Sequence, residues 1–186
     1  MSTSIQNATQ MRELRLTAMA QTYERQLEQP KLHDLGFDDR CGLLLEAECA
    51  ARRTRKLNRL VKTASLPELA SLEDLDLRPA RGLDKALLST LSSCLWIQRQ
   101  QNLIIVGPTG VGKTWLACAL ATQACRQGMK ATFYRASDLY GAIADALLEG
   151  TLPKLKAALA APSLLVLDDF GIGDMTPTAA QVLLDV

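Results

Sequence analysis

Asn102-Leu103-Ile104-Ile105-Val106-Gly107-Pro108-Thr109-Gly110-Val111-Gly112-Lys113-Thr114 is the stretch that decides the fold. Its second part, Gly107 to Thr114, is a complete G-x-x-x-x-G-K-[ST] phosphate-binding loop (Walker A). The run Asn102–Val106 before it reads as a short buried strand. Trp115 to Gln127 after it reads as a helix, with Leu116, Ala119, Leu120 and Ala124 at helical spacing. Gly107, Gly110 and Gly112 let the backbone turn tightly enough to aim successive N–H groups at a polyphosphate, with Pro108, Thr109 and Val111 between them. The helix that follows adds the partial positive charge of its N-terminus. Lys113 suits the β- and γ-phosphates, and Thr114 suits Mg²⁺ through its hydroxyl.

A second stretch fits the first. Ser163-Leu164-Leu165-Val166-Leu167-Asp168-Asp169 is an apolar run that ends abruptly in two acids (Walker B). Carboxylates at the carboxyl end of a parallel strand lie where open α/β sheets bind ligands. Asp168 is the expected Mg²⁺ partner, because Mg²⁺ takes few carboxylates and keeps several waters. Asp169 is the acid expected to orient or activate a water against the γ-phosphate. The two stretches together predict a nucleoside triphosphate and Mg²⁺.

Composition removes other classes. The chain has 186 residues, one histidine (His33) and a formal charge of +1. A histidine-based metal site or a Ser-His-Asp triad therefore cannot be assembled. Aromatic residues make up 4% of the chain, too few for a platform that stacks single-stranded bases. No apolar run approaches the roughly 18 residues of a membrane span, so no membrane partner is expected. Met1-Ser2-Thr3-Ser4 lacks a basic region followed by an apolar stretch, so no signal peptide is expected. The five cysteines, Cys41, Cys49, Cys94, Cys118 and Cys125, are odd in number and form no C-x-x-C. They predict neither disulfides nor zinc, and a reducing, cytoplasmic setting. Cys118 and Cys125, seven apart, read as small core residues on one helix face.

Along the chain, Gln6–Glu28 reads as a helix ended by Pro30, and Asp38–Lys62 as a longer one. A connector with scattered leucines (Leu69, Leu72, Leu75, Leu77) runs from Ser65 through Pro79, and a helix over Lys85–Arg99 leads to the loop. Beyond the loop helix, Gly128 suits a C-cap and Ala131–Tyr134 a second strand. Ser137 or Asp138 suits the cap of a helix ending at Leu148, Lys154–Ala160 a shorter helix, and Thr176-Pro177 a helix start. Strands alternating with helices predict an α/β domain built on a parallel sheet. The expected division is a helical region over 1–64, a connector over 65–84 and a nucleotide-binding core over 85–186.

One helix carries a charge pattern. Arg52, Arg53, Arg55, Lys56, Arg59 and Lys62 lie in a window without acids, and positions 52, 55, 56, 59 and 62 share one helical face. Leu57, Leu60, Val61 and Ala64 form the neighbouring apolar face. Such a stripe suits phosphate-backbone contact with nucleic acid, a reading that stands slightly ahead of a solvated helix face paired with acids elsewhere.

These pieces together resemble the IstB-type helper ATPases of insertion-sequence transposition, close kin of the DnaC-type helicase loaders. The likeness covers essentially the whole chain. It is carried by Leu14-Arg15-Leu16 with Met19 and Tyr23, by Leu43-Leu44 with Glu46 and the arginine-rich helix, and by Leu72-Glu73-Asp74-Leu75. It continues in the phosphate loop with Trp115-Leu116-Ala117 and in Leu164–Asp169 followed by Phe170-Gly171. The resemblance implies an AAA+ type P-loop core preceded by a small all-helical region. It also implies self-assembly on DNA, assistance to a transposase, and Arg52–Lys62 as a DNA contact. The alternatives it leaves are a helicase loader and a DNA- or protein-binding remnant without catalysis. Two features depart from the family. Trp115 stands where a histidine is frequent, and Phe170–Val186 offers no sensor strand or arginine finger. The expectation is a C-terminally truncated member that binds ATP and hydrolyses it slowly.

Overall fold

A computed structural model describes residues 3–76, 84–172 and 175–186. Leu77 and Pro79 of the expected connector lie outside the described residues. The chain divides into two compact units, Met1–Lys56 and Leu57–Val186.

The first unit is helical: α1 (Thr3–Glu13), α2 (Thr17–Glu28), the single turn α3 (Pro30–His33) and the start of α4 (Phe37–Ala64). The helix expected over Gln6–Glu28 is broken in two. Arg15 adopts φ of 60°, a left-handed conformation that ends one helix and begins a hairpin. The interruption is repaid by contacts between α1 and α2. Arg12 pairs with Glu24 at 2.6 Å, and Asn7 donates to the Tyr23 hydroxyl at 3.3 Å. Pro30 ends α2 as expected but starts α3, using its freedom from an N–H at a first helical position.

The second unit is built on a parallel pair, β1 (Ala131–Arg135) and β2 (Leu164–Asp168), in register from Ala131 with Leu164 to Arg135 with Asp168. Helices α5 (Lys85–Ser92), α6 (Leu95–Gln98), α7 (Lys113–Arg126), α8 (Ala136–Leu148), α9 (Leu152–Ala160) and α10 (Pro177–Leu184) complete it. Alternation along the strands divides the core between their two faces. Leu164 and Val166 pack with Ala121, Cys125 and Ala131, and against Leu60 and Ala64 of α4. Leu165, Leu167 and Tyr134 pack with Leu139 and Ile143 of α8, Leu159 of α9, and Ala179 and Val182 of α10. A strand covered on both faces needs an unbroken apolar run, which is why Leu164–Leu167 shows no polar alternation.

Several local expectations are met. The loop helix closes through Gly128 N–H to the Cys125 carbonyl and Met129 N–H to the Ala124 carbonyl, a Schellman arrangement. Thr176 caps α10 by accepting from the Ala179 N–H at 3.2 Å. Cys118 and Cys125 are both buried on α7, Cys118 with Ala119 and Phe133 and Cys125 with Ala121 and Ala131, and burial pushes both thiols up.

Three more are corrected. Asn102–Val106 forms no strand: among the described residues the sheet contains β1 and β2 alone, and Ile104 and Val106 are 83% and 87% exposed. An extended run becomes a strand only against a ladder partner, and none lies beside this one. The helix expected over Lys85–Arg99 breaks at Cys94, whose φ is 56°, into α5 and α6; the turn buries Cys94 and Ile97 against Ala124. Neither Ser137 nor Asp138 caps α8, whose N-cap is Arg135, so that β1 runs straight into it.

Candidate nucleotide-binding site

The site is assembled where β2 ends and α7 begins. The loop from Gly107 to Gly112 joins the irregular segment to α7, and Gly112, at φ of 94°, is the N-cap of that helix. Gly110 has φ of 82°. A Cβ at either position would be strained in this left-handed conformation, which explains two of the three loop glycines. Gly107 has no such conformational reason: a Cβ there would sit 3.4 Å from the Val111 Cγ2, at the edge of ordinary contact. Because the cap is a glycine, no side chain is available to accept from the first N–H groups of α7, leaving donors of the kind that bind phosphate at helix starts.

Thr114 and Asp168 meet. The Thr114 Oγ1 donates to the Asp168 carboxylate, at 3.1 Å from Oδ1 and 2.9 Å from Oδ2. Residues 54 positions apart are thus joined at one point: the first turn of α7 and the last residue of β2. A hydroxyl and a carboxylate in contact are oxygen donors suited to one hard divalent cation, so the residues present fit Mg²⁺. The Lys113 Nζ donates to the Pro108 carbonyl at 2.8 Å, folding the lysine over its own loop.

Asp169, the next residue, is exposed and adopts φ of 54°; its carbonyl accepts from the Ile172 N–H at 3.0 Å. Aspartate tolerates this conformation better than most residues. The chain therefore turns immediately after Asp168, leaving the two acids in different surroundings, one bonded to Thr114 and one on the surface. Trp115 packs inward with Ala70, Cys118, Ala119 and Phe133. Sequence reading missed the way the segment before the core is tied to α7. Arg126 donates to both Glu73 oxygens at 2.7 Å and thereby holds the Glu73 carboxyl below its usual range.

The residues of the charged stripe, Arg52, Arg53, Arg55, Lys56, Arg59 and Lys62, are all exposed on α4, whereas Leu60 and Ala64 are buried. Among the described residues there is no cluster of histidine, cysteine or acidic side chains able to hold a metal by themselves. No helix among them is long and apolar enough to cross a membrane.

Comparisons with known proteins place the sequence in a family. Residues 9–186 match the sequence family described as IstB-like ATP binding protein. A Pseudomonas fluorescens protein named as an ATP-binding protein of insertion sequence IS1162 is 45% identical over 179 residues, covering 96% of this chain and 78% of that protein. A Sinorhizobium fredii protein, also named as an insertion-sequence ATP-binding protein, is 38% identical over 171 residues, covering 92% of this chain and 70% of its own length. One from Geobacillus stearothermophilus, named for insertion sequence IS5376, is 29% identical over 173 residues, 93% of this chain and 69% of its own.

The loop geometry makes a direct prediction. Gly110→Ala and Gly112→Ala should each cost roughly 1–2 kcal/mol, the usual penalty for a left-handed L-residue. Gly107→Ala should cost less, since a shift of a few tenths of an ångström in Val111 accommodates it. Urea unfolding of the three variants measures this; equal losses at all three positions would contradict the assigned backbone conformations.

Proposed function

This chain belongs to the family of IstB-like ATP binding proteins, and from that premise we propose that it is an ATP- and Mg²⁺-binding helper of DNA transposition that contacts duplex DNA and assists a transposase. The observation that carries the nucleotide half is the Thr114–Asp168 contact, which brings the loop helix and the acidic strand to one point. The insertion-sequence names of the relatives favour a transposase partner over a replicative helicase.

In this reading, an AAA+ type core, the loop N–H groups of Gly107–Thr114 bind the phosphates, and Lys113 moves from the Pro108 carbonyl to the β/γ-phosphates. A phosphate oxygen is charged and competes well with a neutral carbonyl for an ammonium. Thr114 and Asp168 hold Mg²⁺, which when bound neutralises charge on the phosphates. Asp169 lies beside Asp168 on the solvent side, where it orients a water. The exposed cations of α4 supply contacts to the DNA backbone, which give affinity without reading sequence.

Lys113→Ala should weaken ATP binding about tenfold or more, because a charge-assisted bond contributes roughly 1.5–3 kcal/mol. Titration with a fluorescent ATP analogue in Mg²⁺ measures it, and unchanged affinity would remove the loop assignment. For DNA, Lys56→Glu combined with Arg59→Glu should lower affinity at least tenfold, uniformly across duplex sequences, and flatten the dependence on salt. Fluorescence anisotropy at low salt decides this; an unaltered affinity would make the stripe a solvated surface.

A further inference from the structure

Glu48 is the one acidic side chain found buried among the described residues, with 5% of its side chain exposed. Both of its oxygens are engaged, and on different neighbours. Oε2 accepts from the backbone N–H groups of Ala18 at 3.0 Å and Met19 at 3.3 Å, in the first turn of α2. The N-cap of that helix, Leu16, has no side-chain acceptor, so Glu48 supplies from α4 the capping that the local sequence lacks. Oε1 accepts from the Arg52 Nε at 3.0 Å and the Arg55 Nη2 at 2.9 Å. The Arg52 guanidinium, followed by the Met19 and Ala18 N–H groups and the charge of Arg55, holds the Glu48 carboxyl below its usual range despite burial.

The two arginines are bonded on one side and open on the other. Their side chains are 59% and 55% exposed. Arg52 engages Glu48 through Nε; Arg55 engages it through Nη2 and points Nε at the Ala51 carbonyl at 3.3 Å. A guanidinium carries five N–H donors, so each keeps donors for an anion on its solvent side. An arginine is a long side chain whose ordering at an interface is costly. Here a fixed acid, itself locked by a helix N-terminus, orders two of them before any ligand arrives.

We propose that Glu48 is a positioning residue for DNA-backbone binding, holding Arg52 and Arg55 as a pre-ordered pair of phosphate donors. This rests on the reading of α4 as a DNA contact. It also yields an expectation opposite in sign to simple charge counting. Removing an acid makes the stripe more positive, which by charge alone tightens binding to DNA. If Glu48 acts by ordering the arginines, its removal weakens binding instead.

Glu48→Gln separates the two roles of the side chain. The amide oxygen can still accept from Ala18 and Met19, but the amide NH₂ then faces the arginines, donor against donor, and releases them. The expected result, by anisotropy with a duplex oligonucleotide, is binding about fivefold or more weaker. The slope of log affinity against log salt should be nearly unchanged, because no phosphate contact is itself removed. Arg52→Lys with Arg55→Lys preserves charge but replaces the rigid forks with point charges, and should weaken binding similarly. Adding Glu48→Gln to that pair should then have little further effect. Thermal unfolding by circular dichroism checks that each variant is folded; if Glu48→Gln is not, the charge-preserving lysine pair decides by itself. Equal or tighter binding by Glu48→Gln, or unaltered binding by the lysine pair, overturns the positioning role. Loss of binding in Lys56→Glu/Arg59→Glu alongside either result would leave the DNA reading standing. Absence of DNA binding by the unaltered chain would overturn both.

Discussion

The second unit depends on β2 having to bury both of its faces while ending in a carboxylate. Leu164 and Val166 need one helical layer, and Leu165 and Leu167 need another. That requirement places α7 on one side and α8, α9 and α10 on the other. It also makes Asp168 the first residue with no apolar layer to enter, at the edge where α7 starts. The Thr114–Asp168 bond follows from this placement: a helix packed along the strand face begins beside the strand's last residue. Parallel pairing with β1 reinforces the result, because both strands finish at the same edge, Arg135 opposite Asp168. The position of the candidate site is therefore a consequence of core packing, and its chemistry a consequence of two side chains placed there.

Charge is handled differently in the first unit. Hydrophobic residues are sparse in its interior: Ala8, Ala20, Gln26 and Glu48 are buried. Small side chains let helices approach but supply little apolar area, so polar bonds carry more of the specification. Gln26 donates to the Arg40 carbonyl at 2.9 Å, and a His33 ring nitrogen lies 3.0 Å from the Gln26 carbonyl. Glu48 is the most connected of these groups. A buried carboxylate with a full set of donors is tolerable, whereas the same carboxylate short of partners would be strongly destabilising. The arrangement thus makes the arginines of α4 part of the fold of the first unit as well as part of its exposed charge.

Charge counting along α4 read the exposed cations correctly and missed their anchor. The acid-free window begins at Arg52, and Glu48 stands four residues earlier, at the spacing that brings an acid and an arginine together on a helix. Widening the window by one turn would have shown the ion pairs with Arg52 and Arg55. The capping of α2 by the same residue is a contact across 30 positions, and nothing local announces it.

Elsewhere, legibility followed the range of the determining interaction. Gly107–Thr114 and the Gly128 C-cap were readable because backbone conformation at a few adjacent residues decides them. Leu164–Asp168 was readable because burial on two faces leaves an unbroken apolar run. The helix breaks at Arg15 and Cys94 were not, since both put an ordinary L-residue in a left-handed conformation that its residue type does not announce; the first turn is closed by the Leu16 N–H to the Met11 carbonyl and the second buries the Cys94 side chain. Asn102–Val106 marks the limit most clearly. Its composition is as strand-like as that of β2, yet Ile104 and Val106 stand in solvent while Leu164–Leu167 lie between helices. Strand propensity is a statement about fitting a pleated, half-buried surface. Where β1 supplies the ladder and α7 and α8 supply the cover, the pattern is realised; where neither is beside it, the same pattern leaves an irregular segment leading into the loop.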